Sequence, residues 1–369
     1  MKILLLPGAF KGTLSATKAG QILTQQLRGK HTLRSLPISD GGDGFIDFFR
    51  ALDPNASLIK TRAKNAFLKT KNTSFLLLSD KKTAVIEVAR ICGLGTAKPH
   101  ELDPLGASSY GVGQVILKAI EQGARKIYIG LGGVACNDGG AGMAVACGAK
   151  LFDKAGQKLA LGAAPLLALS HADFTHVTQN LKGIEIWGVA DVTNPLLGPH
   201  SSAKVFGPQK GATPAQVKLL DRALARWARV MMQSGGRTTA HTPSTAAAGA
   251  IAAGLYGCLG GKLLLGSDFL FQKAHLEKQS KWADLIITSE GKLDAQTFYG
   301  KAPLAVLKLA KKHHKPVLFI CGSADWKDLK KQSLSHVCVA ELVDFASSLQ
   351  AAKKQAPRVF ARLIKTLWP

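Results

Sequence analysis

Short apolar runs alternate along this chain with segments whose apolar residues recur at helical spacing, and that alternation narrows the fold more than any other feature. Ile3–Leu6 is followed by a turn framed by Gly8 and Gly12. Then comes Ser15–Leu27, where Ala16, Ala19, Ile22, Leu23 and Leu27 share one helical face and Ser15 stands at the N-cap position. The order recurs. Lys126–Ile129 runs into a glycine-rich loop, Ile184–Val189 ends near Asp191, and Asp284–Thr288 leads through Ser289-Glu290-Gly291 to a helix near Pro303–Lys312. Leu33–Ile38, Val317–Cys321 and Cys338–Ala340 read as further strands. Helices are expected over Phe45–Ala51, Val112–Glu121, 213–234, the small-residue stretch Ala246–Leu255 and Pro357–Trp368. Such alternation gives an α/β fold built on parallel sheet. Residues 58–90 differ: Phe75–Leu78 and Ala84–Val88 are short β runs of antiparallel or mixed character. Because the cleanest strand–loop–helix units lie at the two chain ends, the middle reads as an insertion.

With 369 residues, 46% of them hydrophobic, the chain suffices for two or three domains with packed cores. No run approaches the roughly 18 apolar residues of a membrane span. Ile3-Leu4-Leu5-Leu6, cut by Pro7-Gly8, is shorter than the roughly 7–15 residues of a secretory leader core. It reads instead as the first core strand of a cytoplasmic protein. Cys92, Cys136, Cys147, Cys258, Cys321 and Cys338 are scattered, with no C-x-x-C pair, which argues against disulfides and structural zinc. The 48 Lys+Arg against 24 Asp+Glu leave a net charge of +24, which bears on partners rather than on fold. Basic residues are spread along the chain, in short runs such as Lys311-Lys312-His313-His314-Lys315, and few aromatics interleave with them. Neither nucleic acid nor membrane is therefore an expected partner.

Ligands in open α/β sheets sit at the carboxyl ends of strands, which singles out five segments. Pro7–Ser15 surrounds Lys11 with small residues ahead of a helix start, where N–H groups attract phosphate or carboxylate; the plain alternative is a tight turn with a surface lysine. Asp40-Gly41-Gly42-Asp43-Gly44 sets two carboxylates among three glycines, either an anion nest or a polar turn. Gly130–Gly142 holds six glycines in thirteen residues, a loop costly in chain entropy that points to ligand contact. Its Gly130–Ala135 stretch matches the dinucleotide fingerprint, yet Asn137-Asp138-Gly139-Gly140 would interrupt the helix that fingerprint needs. Asp191 stands where a catalytic or Mg2+-binding carboxylate belongs, and Asn194 adds a neutral oxygen; a turn cap is the alternative. Last, Ser289–Thr297 with Gly300-Lys301 behind it forms the densest polar set in the chain, against a surface loop and helix cap.

The P-loop, protein-kinase, G-x-S-x-G and H-E-x-x-H motifs are all absent. Eight segments in order nevertheless resemble one family, the type I glycerate kinases (bacterial glycerate 2-kinases). They are Phe10-Lys11-Gly12 with Leu14-Ser15-Ala16, Asp40-Gly41-Gly42, Ser109-Tyr110-Gly111, Gly130-Leu131-Gly132-Gly133, Asn137 to Met143, Asp191-Val192-Thr193-Asn194-Pro195-Leu196, Glu290 to Thr297, and Gly300-Lys301-Ala302-Pro303. The resemblance runs from Met1 to the C-terminus. It implies a flavodoxin-like parallel-sheet domain formed by residues 1–62 and 282–369, and an inserted mixed α/β domain of residues 63–281. The active cleft would lie between them and close to exclude water.

The implied reaction is transfer of the γ-phosphoryl of ATP, with Mg2+, to D-glycerate, with 2-phosphoglycerate the expected product. On that reading Asp191 either holds Mg2+, with Asn194 beside it, or activates the glycerate hydroxyl, and Asp294 takes the other role. Lys11 and Lys301 stabilise phosphate or the glycerate carboxylate. Gly41, Gly42, Asp43, Gly132, Gly133, Asn137 and Asp138 cradle phosphate and substrate, joined by Glu290 and Gln296. The chain departs from the family pattern at Gly8-Ala9 (Asp-Ser in the family), Val134-Ala135-Cys136 (Ser-Ala-Thr), Asp43 (Glu) and Ser289 (Gly), and along Ser244–Leu255, where several glycines are replaced. Two rival readings stand beside this one: a nicotinamide-dependent oxidoreductase using Gly130–Ala135, and a catalytically impaired homologue acting as a binding protein. Homodimerisation is left open.

Overall fold

A computed structural model of the chain describes residues 1–10, 12–294, 297, 302–326 and 335–368. Its strands are β1 (Lys2–Pro7), β2 (Thr32–Ser35), β3 (Ser57–Lys64), β4 (Thr70–Leu77), β5 (Thr83–Glu87), β6 (Lys126–Gly130), β7 (Lys150–Phe152), β8 (His171–Asp173), β9 (Glu185–Ala190), β10 (Lys262–Leu265), β11 (Leu285–Leu293), β12 (Val317–Ala324) and β13 (Val337–Glu341). The chain divides into two compact units: Met1–Asp40, Asp47–Pro54 and Gly266–Pro369 form the first, Gly41–Ile46 and Asn55–Leu265 the second. No helix among the described residues is long and apolar enough to cross a membrane.

In the first unit, β1 is the strand on which the others are laid. Ile3, Leu4, Leu5 and Leu6 are fully buried, each worth about 2 kcal/mol of apolar burial. β1 pairs in parallel with β2 on one side and with β11 on the other, where Ile3 faces Leu285 and Pro7 faces Ser289. The parallel sheet runs β13-β12-β11-β1-β2. Parallel neighbours need long crossovers. The helix Ala16–Leu27 supplies the one from β1 to β2, started as expected by Ser15, whose Oγ accepts from the Lys18 N–H at 3.2 Å. Its buried face, Ile22, Leu23 and Leu27, meets Val359, Phe360 and Leu363 of the terminal helix Ala356–Leu367. Phe10 stands edge-on to Phe360, centroids 5.6 Å apart.

The second unit carries a six-stranded mixed sheet, β10-β9-β6-β5-β4-β3, and a small antiparallel pair, β7 and β8. β10, β9, β6 and β5 are parallel; β5, β4 and β3 are antiparallel. The antiparallel edge is the irregular stretch seen at residues 58–90. β3 pairs with β4 along its whole length, and the helices Gly266–Lys273 and Leu276–Trp282 fall in the first unit. The chain passes between the two units at 40/41, 46/47, 54/55 and 265/266.

Two local readings change. The polar stretch after Thr288, expected as loop, begins as strand: β11 continues through Leu293, with Glu290 opposite Cys321 and Lys292 opposite Ser323. Gly322 permits it, because a Cβ there would run into the Gly291 carbonyl oxygen. The helix Ala247–Gly257 is not regular at its start, since Ala248, Gly249 and Ala250 all have positive φ (54°, 62° and 63°), a strained state for the two alanines.

Gly8 donates its N–H to the Ser289 carbonyl at 3.0 Å, and Ser289 Oγ donates back to the Gly8 carbonyl at 3.1 Å. A Cβ on Gly8 would run into that same Ser289 oxygen. Gly8→Ala should cost roughly 2–4 kcal/mol in urea unfolding; an unchanged midpoint would show that β1 and β11 separate here without penalty.

Candidate functional site

The first unit gathers charge at the carboxyl end of β11. Glu290 Oε2 accepts from Thr297 Oγ1 at 2.9 Å, and Asp294 pairs with Lys292 at 3.2 Å. Glu290, Lys292 and Asp294 line a cavity of about 400 Å3 whose other side is apolar. Phe10, Leu342, Leu349, Ala352 and Ala356 form that side, and Ser323 and Lys353 also border the cavity. It opens at the ends of β11 and β12 beside β1, where strand order reverses and ligands of open sheets bind.

In the second unit the glycine loops pack backbone against backbone at the ends of β6 and β9. A Cβ on Gly41 (φ 91°) would lie 2.5 Å from the Val189 oxygen, one on Gly130 2.6 Å from the Gly41 oxygen, and one on Gly132 2.7 Å from the Gly42 Cα. Gly133 has a φ of 64° and stands exposed, near Asp43 Oδ1. Close packing thus explains several glycines that chain entropy alone had assigned to ligand contact. It also brings Gly41, Gly42, Asp43, Gly132 and Gly133 together beside Ala190, directly before Asp191. The Asp191–Leu196 loop is tied down by the Ser244–Ala246 segment. Ser244 and Ala246 donate their N–H groups to the carbonyls of Thr193 (3.2 Å) and Asn194 (3.1 Å), and Thr245 Oγ1 accepts from Leu196 N–H at 2.9 Å. Asn194 Nδ2 donates to the His200 carbonyl at 3.1 Å.

Asp138 is fully buried and accepts five hydrogen bonds: from Ser108 Oγ, from both Ser109 N–H and Oγ, and from the N–H groups of Gly140 and Gly142. Burial pushes its carboxyl pKa up, while those donors pull it back down. Its oxygens are occupied by protein, so it shapes the loop from within. The loop reaches its helix only at Ala141, after Gly140 at φ 76°. The Gly130–Ala135 fingerprint therefore opens no helix, and the dinucleotide reading loses its geometric basis. Asn137 is buried too; its Nδ2 donates to the Pro104 carbonyl at 3.3 Å, and its Oδ1 has no protein partner among the described residues.

Two buried charges were missed. Lys210 Nζ donates to the Cys136 carbonyl at 2.7 Å, and burial lowers its pKa to about 8 despite the attraction of Asp138. Gly249 makes room, because a Cβ there would meet both Cys136 O and Lys210 Nζ. Glu87, at the end of β5, accepts from the Ile46 N–H at 3.0 Å and pairs with Arg90 at 3.5 Å. An acid inside the apolar run Ala84–Val88 and a lysine inside Phe206–Ala212 were the available signals.

Of the expected site residues, Glu290 and Asp294 belong to the first unit. Gly41, Gly42, Asp43, Gly132, Gly133, Asn137, Asp138, Asp191 and Asn194 belong to the second. Lys11, Gln296 and Lys301 lie outside the described residues.

Comparison with known proteins sets these clusters in context. A model of the glycerate kinase family matches residues 3–368. The chain belongs to the glycerate kinase family. It is 37% identical over 331 residues to a glycerate 2-kinase of Escherichia coli K12, covering 88% of this chain and 85% of that one. Against a glycerate kinase of Halalkalibacterium halodurans it is 35% identical over 325 residues, covering 87% and 85%. The crystal structure of a protein assigned as glycerate kinase 2 from Salmonella typhimurium LT2 superposes with a TM-score of 0.80 at 34% identity, covering 100% of this chain and 98% of that one. As a glycerate kinase family member the chain is an enzyme, and the α/β fold with one parallel and one mixed sheet agrees with that structural relative.

Asp138→Asn exchanges one acceptor oxygen for an NH2 donor and leaves five donors to share a single acceptor atom. Asp138→Asn should destabilise the enzyme by at least about 2 kcal/mol in urea unfolding, and a loss under about 0.5 kcal/mol would contradict the network. Between about 8 and the ordinary 10.5 the unfolded chain keeps a proton that folded Lys210 has shed, so the lysine's contribution to stability rises with pH across that window. The unfolding free energy of the native enzyme relative to Lys210→Met should climb there by up to roughly 3 kcal/mol; a flat difference would show Lys210 to be solvated.

Proposed function

We propose that this enzyme transfers the γ-phosphoryl group of ATP to the 2-hydroxyl of D-glycerate, using Mg2+, in the cytoplasm, where ATP and Mg2+ are both abundant. The observation that carries the reading is chemical. Carboxylates stand at the carboxyl ends of parallel strands in both units of a chain that matches the glycerate kinase family from residue 3 to residue 368.

Phosphoryl transfer asks for charge neutralisation, alignment and a group to take the hydroxyl proton. Asp294, with Lys292 beside it at the edge of a cavity, suits a metal that travels with a nucleotide, because Mg2+ uses one or two protein carboxylates and fills its other positions with phosphate and water. When bound, Mg2+ neutralises charge on the phosphoryl oxygens. The nest of Gly41, Gly42, Gly132 and Gly133 suits the small anionic acceptor, offering backbone N–H groups to the glycerate carboxylate. Asp191, immediately beyond Ala190 in that cluster, accepts the proton of the attacking hydroxyl. Asn194 supplies a neutral oxygen from the same loop. Lys11 and Lys301 add positive charge toward phosphate or carboxylate.

ADP release from purified enzyme given ATP, Mg2+ and D-glycerate, coupled through enolase, tests the reaction, because enolase consumes 2-phosphoglycerate directly. Asp191→Asn and Asp294→Asn should each lower kcat by about 10²-fold or more. The Lys292–Asp294 pair has an exposed lysine, so Asp294→Asn should cost less than about 1 kcal/mol of stability. Near-native turnover in either variant removes that residue from the chemistry.

A further inference from the structure

The cavity in the first unit does not match a three-carbon acid. It measures about 400 Å3, well within the range of sites that enclose whole cofactors, and one side of it is aliphatic and aromatic. Glycerate is polar on every side and would leave that wall without a partner. A free phosphate would face Glu290 and Asp294, two carboxylates that repel it. The combination calls for a ligand with a flat apolar part, hydroxyl donors and an anionic end, which is the chemistry of a nucleotide.

The placement agrees. The cavity sits at the carboxyl ends of β11 and β12 beside β1, the reversal point of a parallel sheet ordered β13-β12-β11-β1-β2, and open sheets bind mononucleotides at such points. Its polar side comes from strand ends whose groups are already fixed. Thr297 orients Glu290, and Lys292 orients Asp294. Its apolar side comes from the C-terminal segment: Leu342, Leu349 of the short helix Leu349–Lys354, and Ala352 of that helix. Ala352 is buried, while Leu349 is 44% exposed, an apolar side chain at the edge of a cavity with part of its surface left uncovered.

We infer that this cavity holds the nucleoside part of the phosphoryl donor, with the base against Leu342, Leu349 and Ala352 and the ribose hydroxyls donating to Glu290. The inference rests on ATP being the donor, and it names residues of the C-terminal segment that none of the sequence motifs contains. Lys353 and Lys292, exposed at the border, stand ready for the anionic end.

Calorimetric titration of the intact enzyme with ADP, and separately with pyrophosphate, tests it. Leu349→Ser removes apolar wall at a half-exposed position, and Ala352→Phe fills the space; thermal melts confirm that each folds. Both should weaken ADP binding about 10-fold or more and leave pyrophosphate affinity within about twofold, and KM for ATP should rise while KM for D-glycerate holds. ADP affinity unchanged in both folded variants overturns the inference, as does equal loss for ADP and pyrophosphate, or no ADP binding by the native enzyme. Native enzyme that phosphorylates glycerate from ATP while the variants bind ADP normally sinks the inference and spares the proposed function. Native enzyme whose ADP binding is sensitive to these variants but which never phosphorylates glycerate does the reverse.

Discussion

A carboxylate sealed from water has to be matched by donors, and in this protein the match organises the second unit. Asp138 draws in two serines from the turn before the helix Tyr110–Glu121 and two N–H groups from its own glycine-rich loop. Gly142 must lack a side chain, since a Cβ there would collide with Ser108 Oγ. Lys210 holds Cys136, two residues before Asp138, by its carbonyl, and Gly249, in a left-handed turn, makes room for that lysine. The buried carboxylate thus accounts for the serine pair and for Gly142, and the buried lysine for Gly249. Networks of this kind rigidify only when every member is satisfied. Half-buried Gly132 and exposed Gly133 of the same loop can then be held still at the end of β6 without a regular element of their own.

The first unit solves a different problem. Its sheet is assembled from the two ends of the chain, so β1 needs a partner that is synthesised hundreds of residues later. Four fully buried aliphatic residues and parallel pairing on both edges supply the driving force. Closure at Gly8 and Ser289 is backbone to backbone, with the serine hydroxyl returning the hydrogen bond. Two of the positions at which this chain departs from the family pattern, Gly8 and Ser289, are therefore neighbours in space and form one structural solution.

Much of this was legible from residue pattern. The alternation of apolar runs and helical faces placed β1, β6, β9 and β12 within a few residues, and Ser15 capped its helix as its side chain requires. The antiparallel edge at β3–β5 showed in the shorter, more polar runs. What escaped has common causes. Glu290 was read in a loop because glycine and charge usually end a strand, whereas Gly291 and Gly322 let two backbones pass closely and carry pairing onward. Ala248 and Ala250 gave no warning of positive φ, since alanine's intrinsic preference is for the opposite sign. Lys210 and Glu87 were invisible as site-formers because burial of a charge depends on partners far away in sequence. The glycine loops were noticed for their entropy cost, but only the structure separates glycines needed for close packing, such as Gly130, from those left exposed, such as Gly133.

The reaction itself is most directly read by phosphorus NMR of the native enzyme with ATP, Mg2+ and D-glycerate. The γ-phosphoryl resonance should vanish only when glycerate is present, replaced by one phosphomonoester split into a doublet by the single proton on carbon 2. A triplet would move the phosphate to the terminal hydroxyl. Loss of the γ-phosphoryl to inorganic phosphate, or no glycerate-dependent change at all, would contradict the account.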